Sequence, residues 1–171
     1  MRPAARPASA LLLAVLVAGC GYSVGMGGNL PSHIKTVAVP IFVNNTQEPA
    51  VESVITAAVI SAFVTSGRLR VVPVGQADSI LEGVITGYNL ESIAYNSSVN
   101  ATEYRLRIRV SINFRDLRDH STLFKQDGLE EWANFRVQGQ VSDTIAAEDV
   151  AARVAAVEIG RKIVSTAVDR F

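Results

Sequence analysis

Arginine recurs at every second position in one short stretch of this chain, at Arg105, Arg107 and Arg109. Successive side chains of a β-strand point to opposite faces, so these three guanidinium groups share one face, about 7 Å apart. The planar guanidinium fork binds phosphate and carboxylate groups bidentately. The pattern therefore predicts a basic line that contacts a phosphate-bearing lipid or the acidic surface of a partner. Arg136, in the segment that follows, is a weaker candidate of the same kind.

The same arginines also have a purely structural interpretation. On a solvated sheet face they would pair with acids of the neighbouring strand, for which the sequence offers Asp127, Glu130 and Glu131. Exposed cross-strand pairs of this kind are common, and each contributes only a fraction of a kcal/mol to stability. From the sequence, a binding role and a solvated face both remain open for the arginines.

Residues that support catalysis are scarce. His33 and His120 are the only histidines, and neither has an acidic residue at metal-ligand spacing. Adjacent acids elsewhere point in different directions on a strand or helix, and no nucleophile elbow, Walker loop or dinucleotide fingerprint occurs. The aromatic residues are not interleaved with the arginines as a nucleic-acid surface requires. The sequence thus predicts a protein that is not an enzyme and that uses no metal, cofactor or nucleic acid.

The N-terminal segment has the features of a secretion signal. A basic start is followed by an apolar stretch from Ala8 to Ala18, which is too short to span a bilayer. It ends in Leu-Val-Ala-Gly-Cys, which resembles the bacterial lipobox, where the cysteine is lipidated and becomes the first mature residue. We expect residues 1–19 to be a signal peptide and Cys20 to carry three fatty chains that anchor the protein stably. The alternative is an ordinary signal peptide with an incidental cysteine.

The rest of the chain has the length of one ordinary domain. Residues 20–32 are rich in glycine and predict a lipidated flexible tether, and residues 33–171 predict a single α+β domain. Cys20 is the only cysteine, which excludes a disulfide and a cysteine metal site. Basic and acidic residues balance at 16 each, so net charge indicates no class of partner.

Hydrophobic periodicity predicts the order of the elements. Helices are expected from Pro49 to Gly67 and from Ser142 or Asp143 onward, with strands at 36–42, 68–74, 79–90, 104–115 and 122–132. Because the alternating strand 104–115 has one wet face, both helices should share the other face. The predicted fold is α+β, a two-layer sandwich with two helices packed on one face of a four- to five-stranded mixed sheet, in β-α-β-β-β-β-α order.

Individual residues within these strands carry more specific predictions. Gly83 and Gly87 lie inside a predicted strand, where glycine indicates a bulge or a close backbone approach. Tyr95, Trp132 and Phe135 lie at or near loop ends, where such rings either rest at an interface or close the edge of a core. We expect these three aromatic residues to close the core.

The order of several short segments is informative beyond their periodicity. The segments are Cys20-Gly21-Tyr22, Leu30-Pro31, Ile34 to Phe42, Asn44-Asn45-Thr46, Glu48-Pro49 with Glu52, Gly67 to Val72, Ala77-Asp78, Leu81-Glu82-Gly83 and Glu103-Tyr104. In this order they resemble the lipopolysaccharide-assembly lipoprotein family LptE. The resemblance covers nearly all of the mature chain.

This resemblance implies a non-enzymatic lipoprotein of the outer membrane, on its periplasmic side. Such a protein plugs the outer-membrane barrel LptD, helps that barrel to assemble, and contacts lipopolysaccharide during its transport. Arg105, Arg107, Arg109 and Arg136 are the candidate contacts with lipopolysaccharide or the partner. The alternative function is that of an auxiliary lipoprotein in an ABC-type lipid transport system, which has a similar anchor and size.

Overall fold

A computed structural model describes residues 30–137 and 139–169 of the chain. Its elements, in chain order, are β1 (Thr36–Ala38), β2 (Val43–Asn44), α1 (Val51–Ser66), β3 (Arg70–Val71), β4 (Ser79–Tyr95), β5 (Ala101–Asp116), β6 (Thr122–Arg136) and α2 (Val141–Asp169). The predicted signal peptide, Cys20 and most of the predicted tether lie outside the described residues.

The described strands form one mixed sheet. Its order is β3-β1-β4-β5-β6, and β2 pairs with β4 further along the same edge as β1. The three short strands run parallel to their neighbours, whereas β4, β5 and β6 form an antiparallel meander. The predicted α+β two-layer class is confirmed, and the sheet has six strands. The predicted strand 36–42 is strand only from Thr36 to Ala38. It ends two residues before Pro40, which has no N–H to donate to a ladder, and pairing resumes at Val43.

The two helices lie on the same face of the sheet, as predicted. Helix α1 ends at Gly67, whose φ of 64° lets its N–H donate to the carbonyl oxygen of Phe63 at 3.1 Å. Helix α2 crosses α1 closely at Gly160, where a Cβ atom would lie 2.8 Å from the backbone oxygen of Ala58. Neither helix of the described chain combines the length and apolar composition that a bilayer span needs.

The core fills the space between the helices and the sheet. Ile55, Val59 and Phe63 of α1 form one cluster with the inward side chains of the long strands, such as Leu106 and Ile108. Two polar contacts also cross this layer, a 2.9 Å hydrogen bond from the Tyr88 hydroxyl to Glu148 and an ion pair between Lys162 and Glu131. The face of the sheet that carries these side chains is therefore the inner face.

Both predictions for the strand glycines are confirmed. A Cβ atom on Gly83 would lie 2.1 Å from the ring of Phe42, so the ring packs directly against the backbone there. At Gly87 the register of β4 against β5 shifts by one residue, which is a bulge.

The prediction for the aromatic residues holds for only one of the three. Phe135 is buried and stacks on Tyr104 with ring centroids 5.7 Å apart. Trp132 and Tyr95 are 52% and 59% exposed, so their assignment to the core was wrong. Strand β6 continues to Arg136, and its alternation places Trp132 on the opposite face from Phe135.

Candidate functional site

The face of the sheet opposite the helices is covered by no described element, and we call it the open face. It consists of the outward side chains of β4, β5 and β6. Its charged and larger members include Glu82, Asn89, Glu91, Glu103, Arg105, Arg107, Arg109, Asn113, Arg115, Lys125, Glu130, Trp132, Asn134 and Arg136. All four predicted contact arginines therefore lie on one surface.

Two of the strand arginines are held in a network of ion pairs. The Arg109 Nη2 atom lies 2.7 Å from Glu130, and Arg107 lies 3.4 Å from the same carboxylate. Arg107 also pairs with Glu91 of β4 at 3.0 Å. The hydrogen bond from Arg109 is the main reason that the pKa of Glu130 is lowered, and the bond to Glu91 raises the pKa of Arg107. The cross-strand ion pairs that a solvated sheet face would form therefore explain the positions of Arg107 and Arg109.

The acids in this network are only partly those that the sequence suggested. Glu130 is a partner as expected, but Asp127 lies 3.5 Å from Lys125. Glu131 points to the inner face and pairs with Lys162 of α2, because it is one residue out of phase with Glu130. Glu91 was missed because the predicted strand ended at residue 90, whereas β4 continues to Tyr95.

Arg105 has different surroundings from Arg107 and Arg109. Its Nε donates a 3.0 Å hydrogen bond to Asn134 Oδ1, and its guanidinium lies over the ring of Trp132, 4.4 Å from the ring centroid. No carboxylate among the described residues pairs with it. The side chain is therefore held in place by an amide and an aromatic ring, and Glu91, which stands opposite it in the register with β4, pairs instead with Arg107.

Arg136 lies at the end of β6, two residues beyond Asn134 on the same face. It is exposed and stands opposite Glu103 in the strand register, and it forms no ion pair with any residue that the structure describes. Glu103 instead accepts a 3.3 Å hydrogen bond from the amide of Asn134. The open face thus has a middle in which Arg107 and Arg109 are ion-paired, and an end where Arg105 and Arg136 form no ion pair with a described residue.

A third arginine pair lies at the opposite end of the open face. Arg115 donates two hydrogen bonds, of 3.1 and 3.0 Å, to the carboxylate of Glu82 on β4. This fork-to-fork geometry raises the pKa of Arg115 and ties β5 to β4 near the start of that strand. Arg115 and Lys125, the described cations at this end of the face, therefore both have acidic partners.

The histidines have structural surroundings. His33 Nε2 lies 2.6 Å from Oδ2 of Asp116, a carboxylate at the end of β5 that is only 1% exposed. His120 lies in the turn between β5 and β6 with a φ of 62°. No cluster of His, Cys, Asp and Glu within the described ranges is arranged to hold a metal ion.

Comparison with solved structures supports the fold. Lipoprotein B from Nitrosomonas europaea is 16% identical, covers 81% of this chain and 86% of its own, and has a TM-score of 0.53. The rare lipoprotein B from Shewanella oneidensis is 10% identical over 75% and 92% of the two chains, with a TM-score of 0.52. A Xanthomonas campestris protein is 11% identical over 81% and 89%, with a TM-score of 0.57.

The sequence comparison identifies the family. None of the curated proteins matches this chain significantly. The family model LptE, described as lipopolysaccharide-assembly, matches residues 34–167 and so includes every strand of the sheet and nearly all of both helices. The chain therefore belongs to the LptE family of lipopolysaccharide-assembly lipoproteins.

Proposed function

We propose that this protein is an outer-membrane lipoprotein, modified at Cys20 and held on the periplasmic side, that plugs an LptD-like β-barrel and assists its assembly. In this role it contacts lipopolysaccharide during transport to the outer membrane, without enzymatic activity. The observation that supports this proposal most directly is the open face, a broad polar surface on a lipoprotein of the LptE family.

The chemistry of the open face suits the inside of a large barrel. Barrels that are wide enough to enclose a domain have polar interiors, because only their outward residues contact lipid. Ion pairs such as Arg109 with Glu130 and Arg115 with Glu82 fix charged groups on this face in defined positions. A fixed pattern of both charge signs favours one orientation of docking, since like charges brought together cost several kcal/mol.

The anchor and the domain are close enough for this role. Fully extended, the residues between Cys20 and Leu30 span at most about 35 Å, which exceeds the roughly 20 Å of one bilayer leaflet with its headgroups. Several fatty chains at Cys20 would hold the domain at the membrane surface where a barrel opens. Mass spectrometry of the mature N-terminus tests this anchor, and an unmodified first residue would contradict it.

Site-specific crosslinking tests the docking itself. A photoreactive residue placed at Arg109 on the open face should crosslink to a large barrel in host membranes. The matched control is Val154, which is 51% exposed on the outer side of α2. Crosslinks from Arg109 to an ABC-type transporter complex would favour the auxiliary role instead, and recovery of a free monomer after gentle extraction would contradict both.

A further inference from the structure

One end of the open face combines an aromatic ring, an amide and two guanidinium groups. We define the Trp132 platform as Arg105, Trp132, Asn134 and Arg136. In the strand register Arg105 stands directly opposite Asn134, and Trp132 and Arg136 flank Asn134 on the same strand. Alternate residues of a strand lie about 7 Å apart, so the four side chains form one continuous surface.

Trp132 is an unusual residue for its position. Its side chain is 52% exposed, and its neighbours on the open face are the charged and amide groups of Arg105, Arg107 and Asn134. Arg105 lies over the ring, and the exposed remainder of the indole faces the solvent. An apolar ring that stays half in water forgoes roughly half of its burial energy. A ligand that covers the ring would recover that energy.

The polar members of the platform are already oriented. Asn134 accepts from Arg105 at 3.0 Å and donates to Glu103 at 3.3 Å, which fixes the plane of its amide. Arg105 is held between this amide and the indole and has no carboxylate partner among the described residues. Such a group offers its remaining N–H donors to a ligand without first breaking an ion pair, unlike Arg107 and Arg109.

These groups fit a sugar better than they fit an acyl chain. The C–H face of a pyranose ring packs on an aromatic ring, and its hydroxyl groups exchange hydrogen bonds with amide and guanidinium groups. Arg105 and Arg136, which form no ion pair with a described residue, suit phosphate or carboxylate substituents. An acyl chain on this surface would have to cover Asn134 and both arginines, which would cost the desolvation of polar groups.

We propose that the Trp132 platform binds the anionic sugar portion of lipopolysaccharide. The inference rests on the proposed function, because that function supplies the glycolipid, and it assigns the contact to Arg105 and Arg136 with Trp132 and Asn134. Arg107 and Arg109 are then structural members of the open face. The platform is a binding surface with no covalent step.

The sequence provides a direct probe, since Trp132 is the only tryptophan. The mature chain in mild detergent is titrated with the lipid-free, phosphorylated core oligosaccharide of lipopolysaccharide while Trp132 fluorescence is recorded. A saturable change in intensity or emission maximum is expected, and a neutral dextran oligosaccharide should give a much smaller change. No change with the core oligosaccharide would overturn the proposal.

Variants measured by calorimetry locate the contact. Trp132→Ala should weaken binding of the core oligosaccharide by about tenfold or more, equivalent to about 1.4 kcal/mol, and Trp132→Phe should weaken it less. Arg105→Lys keeps the charge but loses the planar fork, so we also expect weaker binding. Arg161→Ala is the matched control, because Arg161 is 68% exposed on α2, on the other side of the sheet from the open face, and it should leave the affinity unchanged. Equal affinity in all four variants would contradict the platform.

Two further outcomes separate this inference from the proposed function. Crosslinking of Trp132→Ala to the barrel should be normal if the platform serves the sugar alone. If Trp132→Ala loses the barrel but keeps the sugar affinity, the platform is a protein contact and the inference is wrong. If the purified sugar binds as described but no barrel is captured by any variant, the proposed function fails and the platform stands.

Discussion

The inner and open faces of the sheet are built from alternate residues of the same strand, β5. Leu106, Ile108 and Val110 point inward and are 0% exposed, whereas Arg105, Arg107 and Arg109 between them point outward. The inward residues are packed against helices of this chain, and the outward residues contact only their strand neighbours and solvent. One strand therefore carries the core and the candidate binding surface at once.

The difference between the faces separates stability from recognition. Burial of an apolar side chain stabilises the fold by a few kcal/mol, while an exposed ion pair contributes about 0–1 kcal/mol. Substitutions on the inner face should therefore destabilise the protein, and substitutions on the open face should alter what it binds. Adjacent residues of β5 provide the sharpest test of this division.

Ile108→Ala should give the largest loss of stability. Ile108 is completely buried, and removing its side chain leaves a cavity between the sheet and the helices. We expect the free energy of unfolding to fall by about 2–5 kcal/mol, measured by urea denaturation. A loss of less than about 1 kcal/mol would mean that the inner face is not packed as described.

Gly83→Ala should be the next most damaging change, from the opposite cause. The new Cβ would lie within 2.1 Å of the buried Phe42 ring, so the ring or the strand must move. Overpacking of this kind costs about 1–3 kcal/mol, again by urea denaturation. Gly75→Ala is the matched control, because nothing lies within 4 Å of a Cβ there, and its effect should be close to zero.

Asp78 lies immediately before β4, and its carboxylate is hydrogen-bonded to the start of β1. Its carboxylate accepts hydrogen bonds from the Thr36 hydroxyl at 2.7 Å and from the backbone N–H groups of Lys35 and Thr36 at 3.0 Å. These bonds, the hydroxyl first, hold the pKa of Asp78 below its ordinary value of 3.8. Asp78→Asn should reduce the free energy of unfolding by about 1 kcal/mol at pH 7.

The pH dependence of that difference follows from the direction of the shift. The unfolded chain takes up the proton on Asp78 at a higher pH than the folded chain does. The stabilisation by Asp78 is therefore fully present well above pH 3.8, and it is lost as the pH falls from there through the lower pKa of the folded chain. The gap between the original protein and Asp78→Asn should therefore narrow below about pH 4 in denaturation series. A gap that stays constant to the lowest pH would refute this account.

Arg109→Ala should have the smallest effect on stability. The Arg109 side chain is 53% exposed and its partner Glu130 keeps Arg107 as a neighbour. The free energy of unfolding should change by less than about 1 kcal/mol, in contrast with the adjacent Ile108→Ala. A loss as large as that of Ile108→Ala would erase the division between the two faces.

Much of the framework could be predicted from local patterns. The stripe of α2, namely Ala152, Ala156, Ile159, Ile163 and Ala167, is buried as its spacing indicates, and α1 stops at the predicted glycine. The long alternating strand and its hairpin partner were also predicted, because a wet and a dry face leave a period of two in the sequence. These features depend on residues that are close together in the sequence, so the sequence alone is enough to predict them.

The ends of the strands could not be predicted in the same way. Residues 91–95 and 133–136 contain polar and small residues that look like loop, and they become strand because β5 offers them a continuous ladder of partners. Glu91 and Asn134 therefore reach the open face only through pairing. The misplacement of Trp132 in the core has a different cause. The register of β6 against β5 shifts by one residue between Gln126 and Leu129, and this bulge places Trp132 on the face opposite Phe124.

The amino-acid sequence by itself determined the α+β class, the two helices, the hairpin and the surface on which Arg105, Arg107 and Arg109 lie, because periodicity fixes which side chains share a face. Only the tertiary structure decided which of these arginines are neutralised. The partners of Arg107 and Arg109 come from different strands, and Trp132 meets Arg105 only across the ladder. Charge compensation depends on distance in space, and distances between strands are not a local property of the chain.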